Sequence, residues 1–139
     1  MSSDIVRLIV AVVFIGHGIG HGLGIWAALG NSLTKYHSSS SWLLGRLLGE
    51  RISRVFMLLL FLAAMVGFVG AGLGLFDWLV SSHVWLNWAV WASILSIAAL
   101  LLFPKGFPTV IPNVIGALLV DAAVLIMMWW QNWPAALFK

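Results

Sequence analysis

The 139-residue sequence contains no cysteine, so disulfides, thiolate metal ligands and cysteine nucleophiles are excluded. Charge is scarce: Asp, Glu, Lys and Arg make up 8% of the chain, against about a quarter in soluble domains. The seven Lys and Arg residues are scattered over connecting stretches and build no basic face, which argues against nucleic-acid binding. Alternating-polarity strands of the kind a membrane β-barrel uses are absent. So are a phosphate loop, a strand-led dinucleotide fingerprint, the H-E-x-x-H of metalloproteases and any nucleophile–base–acid set. No repeat of solenoid period is visible, and no inverted-repeat symmetry of the transporter kind can be claimed.

What the chain has instead is apolar mass, at 63% hydrophobic residues. The expectation is an all-α polytopic membrane protein, one domain over 1–139, built as a four-transmembrane-helix bundle. A hydrocarbon core needs about 20 apolar residues per helix, and four runs qualify, at about 5–29, 52–79, 84–103 and 110–131. The first run could be mistaken for a secretory signal. Asp4 before Arg7, its length and its two histidines favour a retained helix.

Four spans place both termini on one side, with Arg7 and Lys139. Lys35, Arg46, Arg51, Arg54 and Lys105 fall on the other. The positive-inside rule makes loops 30–51 and 104–109 cytoplasmic and both termini external, in a bacterial or archaeal cytoplasmic membrane. Trp26 and Trp42 then mark the cytoplasmic face. Trp78, Trp85, Trp88, Trp129, Trp130 and Trp133 mark the outer one as an aromatic belt, with Trp91 deeper. In the long first loop, "NSLTKYHSSSS" reads as irregular, with His37 solvated. The next stretch, about 41–51, places Trp42, Leu43, Leu47 and Leu48 on one face of a short interfacial helix. The loop "FPKGFPTVIPN" ends the third span at Pro104 and starts the fourth with Pro112 in its first turn, without a functional signal.

Ionisable residues inside a span are functional candidates by default. His17 falls near the middle of the first span, and His21 lies about 6 Å further along it. Met65, Ser93, Ser96 and Asp121 fall at similar depth in the other three. A lone interior carboxylate must pair or stay protonated, and His17 is the partner nearest Asp121 in depth. The set reads either as interhelical glue or as a proton relay through Asp121, His17, Ser93 and Ser96.

The stretch "FIGHGIGHGLG" adds a shape. His17 and His21 share one stripe at i and i+4, flanked by Gly16, Gly20 and Gly24 on one side and by Gly18 and Gly22 on the other. Such stripes let a neighbouring helix approach closely, and Gly67, Gly70, Gly72 and Gly74 of the second span could supply one. Alternatively, bare backbone beside imidazoles gives clearance to a flat ligand: a quinone headgroup or a haem-like macrocycle, with Met65 a possible opposite ligand. His17, His21 and Asp121 also form a possible metal-ligand set.

"VRLIVAVVFIGHGIGHGLG" resembles the first helix of DoxX-like small membrane proteins. "WASILSIAALLLFP" and "IGALLVDAAVLIMMWW" look like the third and fourth spans of four-helix bacterial proteins near that group. The resemblance implies a four-helix bundle. One DoxX branch is the small subunit of a thiosulfate:quinone oxidoreductase, which implies quinone-level redox chemistry. The second histidine and the glycine ladder depart from that pattern. Three functions stand at this point: a redox-linked subunit with a midplane His/Asp site, an accessory subunit packing against a larger membrane complex, and an oligomeric proton-coupled transporter.

Overall fold

The computed structural model describes residues 3–131, with side chains through Met127. Trp133 and Lys139 lie outside the described residues, as do the side chains of Trp129 and Trp130. Six α-helices account for most of what is described: α1 (Ser3–Gly20), α2 (Gly22–Ala28), α3 (Leu44–Leu48), α4 (Glu50–Gly74), α5 (Trp85–Leu102) and α6 (Ile115–Gln131). No strand occurs among the described residues. Four helical stretches are long and apolar enough to cross a membrane: Ser3–Ala28, Glu50–Gly74, Trp85–Leu102 and Val110–Met127.

The central element is α4. It packs on α1 and α2 along one side and on α5 along another, and α6 packs on α5. Small residues set these approaches. A Cβ on Gly72 would lie 3.0 Å from the Ala11 carbonyl oxygen of α1, and one on Gly67 would lie 2.8 Å from the Ala92 Cβ of α5. The glycines of the second span therefore serve two neighbours, Gly72 facing α1 and Gly67 facing α5.

Two apolar clusters form the core. Ala11, Phe14, Phe68, Ala71, Trp85, Ala89 and Val124 make one, toward the start of α1. Ala27, Met57, Phe61, Ala99, Phe103 and Ala117 belong to the other. His21, Ser93, Ser96 and Asp121, all buried, and His17 fall between the two clusters along the helices. Each helix buries an apolar stripe above and below this level, so the polar side chains are enclosed by protein.

The structure departs from the sequence expectation in six places. The first span is broken: the helix stops at Gly20 and restarts at Gly22, with the His21 N–H donating to Gly18 O at 3.1 Å, a tighter i to i+3 closure. Five alternating glycines, each costing about 1 kcal/mol of helix propensity, make this the weak point. The second helix ends at Gly74 rather than near 79, because Asp77 (φ 57°) and Leu79 (φ 62°) turn the chain through left-handed backbone. Ser82 N–H donates to Asp77 Oδ1 at 2.7 Å. That bond, aided by the charges of His83 and Arg7, holds the Asp77 carboxyl below its ordinary value.

The fourth span is regular α-helix only from Ile115, the start of α6. Val110–Val114 forms a wide turn in which Ile111 is extended (φ −113°, ψ 129°), the conformation favoured before proline. The interfacial helix shrinks to Leu44–Leu48, because Gly49 (φ 79°) redirects the chain straight into α4. Trp85 is core, 7% exposed, rather than part of a belt; its ring packs 6.0 Å from that of Phe14. Trp26, Trp42, Trp78, Trp88 and Trp91 are exposed.

His37 is the sixth departure. It is 2% exposed rather than solvated. Its Nδ1 accepts the Leu33 N–H at 3.1 Å, which places the ring hydrogen on Nε2. Nε2–H is then shared between Leu23 O and Gly106 O, each at 3.1 Å. Ser38 N–H donates to Lys105 O at 2.9 Å, and Thr34 Oγ1 donates to Pro108 O at 3.0 Å. The long first loop is thereby fastened to the last loop at one end of the bundle. Apolar neighbours cannot replace these bonds, since buried backbone groups need partners. His37→Ala should lower unfolding stability by roughly 2–4 kcal/mol. Tryptophan fluorescence during SDS titration in mixed micelles would measure this, and an unchanged midpoint would show that the clasp carries no stability.

Candidate functional site

Asp121, near the middle of α6, has no exposed surface. Its Oδ1 accepts from His17 Nε2 of α1 at 3.0 Å, and its Oδ2 accepts from Ser96 Oγ of α5 at 2.5 Å. One carboxylate thus joins three helices. The bond to Asp121 fixes hydrogen on His17 Nε2 and leaves Nδ1 as the free ring nitrogen, while the ring keeps 9% exposure. Ser93, one turn before Ser96 on α5, is buried with an unpartnered Oγ and does not bond the carboxylate.

His21 packs edge-on to His17, with ring centroids 4.9 Å apart. Phe61, Phe68 and Phe107 surround it at 5.8, 5.9 and 6.0 Å, Phe68 nearly parallel. His21 is fully buried, and neither ring nitrogen has a hydrogen-bond partner. An unpaired buried polar group costs about 1–3 kcal/mol, so this imidazole is held ready for a partner or at a standing cost. The phenylalanines were invisible as site residues in sequence, because apolar residues in an apolar helix give no contrast. Phe107 comes from the last loop, where no signal marked a site.

Between α1 and α6 runs an open groove of about 390 Å³. His17 and His21 contribute to its wall together with Gly16, Gly20, Gly116 and Phe107. A Cβ added to Gly16, Gly20 or Gly116 would meet nothing within 4 Å. Gly18 is different: its Cβ would lie 3.0 Å from Met65 O and Val69 Cγ2 of α4, and one on Gly24 would run into the Phe61 ring. The glycines therefore do not divide into one packed stripe and one open stripe. Gly18 and Gly24 pack against α4, whereas Gly16 and Gly20 leave the groove open, and Gly22 also faces open space. The break at His21 shifts the buried seam from Phe14 and Gly18 onto Gly24 and Ala28.

A second, apolar cavity of about 220 Å³ continues along the same seam, lined by Ile9, Val10, Phe14, Trp85, Val124 and Met127 among others. Val13 and Val120 border both spaces. Met65 is elsewhere. It lines a separate groove with Ile19, Val69 and Trp88, so the structure does not bring it to the histidine groove. Among the described residues no three His, Cys, Asp or Glu side chains are grouped to hold a metal ion.

No family model, curated protein or solved structure matches this chain.

The two classes of glycine separate by substitution. Gly24→Ala should destabilise the protein by about 1–3 kcal/mol through its clash with Phe61. Gly16→Ala should be neutral or stabilising by up to about 1 kcal/mol. Equal effects in the same SDS titration would refute the assignment of one to packing and the other to the groove.

Proposed function

We propose that this chain is an integral membrane protein whose groove between α1 and α6 binds a quinone-class molecule, the headgroup at His17 and His21 and the apolar chain along the outer seam. The observation that carries the reading is the groove's composition. Bare glycine backbone on α1 and α6 leaves room for a flat ring beside two histidines, and an apolar cavity continues from it past Val13 and Val120. A ligand with a polar flat head and a long apolar chain fits that sequence of surfaces. The resemblance of the first span to DoxX-like proteins, read from its sequence alone, implies the same ligand class. The basic loops 30–51 and 104–109 would face the cytoplasm and the two chain ends the exterior.

The donor set favours hydrogen bonding over axial coordination. His17 Nε2 is committed to Asp121, and both His21 nitrogens are closed off among phenylalanines. A quinone bound here would supply two-electron redox chemistry coupled to protons. The protein's own part is to hold and move a proton. Asp121 Oδ1 holds the ring hydrogen of His17 on Nε2 and fixes the ring's orientation. Ser96 occupies the other carboxylate oxygen, so the charge is directed at the imidazole. His17 Nδ1, which carries no hydrogen in this tautomer, is the atom that would accept a hydrogen bond, and then a proton, from a quinol hydroxyl in the groove. His21 would supply a second hydrogen bond once its ring turns past Gly20. Phe61, Phe68 and Phe107 keep water from the His21 ring.

Decylubiquinone titrated into the purified protein in dodecyl maltoside should quench tryptophan fluorescence saturably, since Trp85 lines the outer seam. Gly20→Leu should weaken binding at least about tenfold by filling the groove, whereas Gly22→Leu, off the groove, should not. Absence of saturable quenching, or equal affinity in all three proteins, would exclude this reading.

A further inference from the structure

We propose a second, separate site: a phosphate-group pocket built from the serine run and the first turns of α4. The stretch Ser38, Ser39, Ser40 and Ser41 has no part in the groove. In the structure these four serines line a cavity of about 180 Å³ together with Gly45, Glu50, Ser53 and Arg54. The His37 clasp sets the loop's position here, since the next residue, Ser38, is tied through its N–H to Lys105 O.

Three features define the chemistry. Ser53 is 1% exposed, and its Oγ has no hydrogen-bond partner. A buried hydroxyl on the wall of a polar pocket lacks the bond that its burial demands. Arg54, the next residue, brings a guanidinium whose planar fork suits phosphate oxygens. The N-terminus of the 25-residue α4 borders the same pocket, with no side chain capping it. Its free N–H groups and the positive end of the helix dipole favour an anion. Ser38 Oγ and Ser40 Oγ lie 2.9 Å apart, one donating to the other, and Ser41 Oγ accepts the Leu44 N–H at 3.0 Å, so one O–H of the first pair and that of Ser41 remain to donate. Glu50 is the one opposing charge on the lining. It selects for a ligand that is not highly charged, such as a phosphate diester, over a dianion.

The pocket lies at the end of the bundle that carries Lys35, Arg46, Arg51, Arg54 and Lys105. A phosphate there has two sources: the headgroup of an anionic lipid, or a free phosphate species. Tryptophan-detected thermal unfolding in phosphate-free dodecyl maltoside buffer distinguishes them, with dihexanoylphosphatidylglycerol, inorganic phosphate and the phosphate-free dihexanoylglycerol as separate probes. The phosphatidylglycerol should raise the apparent Tm in a saturable way, and the diglyceride should not. Stabilisation by inorganic phosphate as well would extend the site to free phosphate. Arg54→Gln should weaken the response about tenfold, and Glu50→Gln should strengthen it several-fold. Ser53→Ala should raise the Tm without ligand, because it removes an unsatisfied hydroxyl, and yet lower the affinity. That crossing is not expected of a purely structural serine. No stabilisation by either phosphate probe, an equal response to the diglyceride, or a response indifferent to Arg54→Gln and Ser53→Ala would overturn the proposal.

Discussion

The molecule depends on one buried carboxylate. A carboxyl group in an apolar interior needs hydrogen-bond partners, and Asp121 has two, from different helices. Breaking a buried pair by removing one member typically costs about 3–5 kcal/mol, because the other is left uncompensated. The bond to His17 spans 104 residues and ties the first helix to the last. Along the groove α1 and α6 stand apart, and the His17–Asp121 bond joins them there while leaving the seam beside it open. The cavity beside the histidines follows from that economy of contact. Had α1 and α6 interlocked along their length, Gly16, Gly20 and Gly116 would be packed like Gly18.

The protein uses histidine in three distinct ways. His17 is oriented by a carboxylate, His37 by backbone groups alone, and His21 by aromatic rings that offer its nitrogens nothing. The first two have their ring hydrogens fixed by partners. The third is the exception in an interior that otherwise satisfies its imidazoles, and for that reason the groove, rather than the clasp, is the place to look for a ligand.

Much of this was legible in the sequence because depth in an apolar run is a one-dimensional quantity. Counting along four runs brought His17, Ser96 and Asp121 to one level, and that level is where they bond. Direction around a helix is less secure. The i, i+4 stripes of the glycine ladder assumed an unbroken helix, and the tightened turn at His21 reassigned Gly24 from the open side to the packed one. Loops were the least legible. His37 sits in a polar stretch that looks solvated, and its burial depends on carbonyls of Leu23 and Gly106 that carry no sequence identity. Phe61, Phe68 and Phe107 could not stand out against a background of similar residues. Trp85 shows the converse: a residue type with a strong surface preference was drawn inward by the gap that Gly74 leaves beside it.

The His37 clasp has a consequence for how the chain matures. Its acceptor at Gly106 lies 69 residues downstream, and the Asp121 that satisfies His17 lies further still. During synthesis from the N-terminus, both imidazoles are made long before their partners. The first loop cannot settle until α5 and the turn after it exist, and the seam cannot close until α6 is in place. Such long-range contacts form late and slowly. The protein therefore carries its own completeness test in two stages: a chain that stops before Gly106 leaves both His37 and His17 unmatched, and one that stops before the last helix fastens the loops but still leaves His17 without its carboxylate.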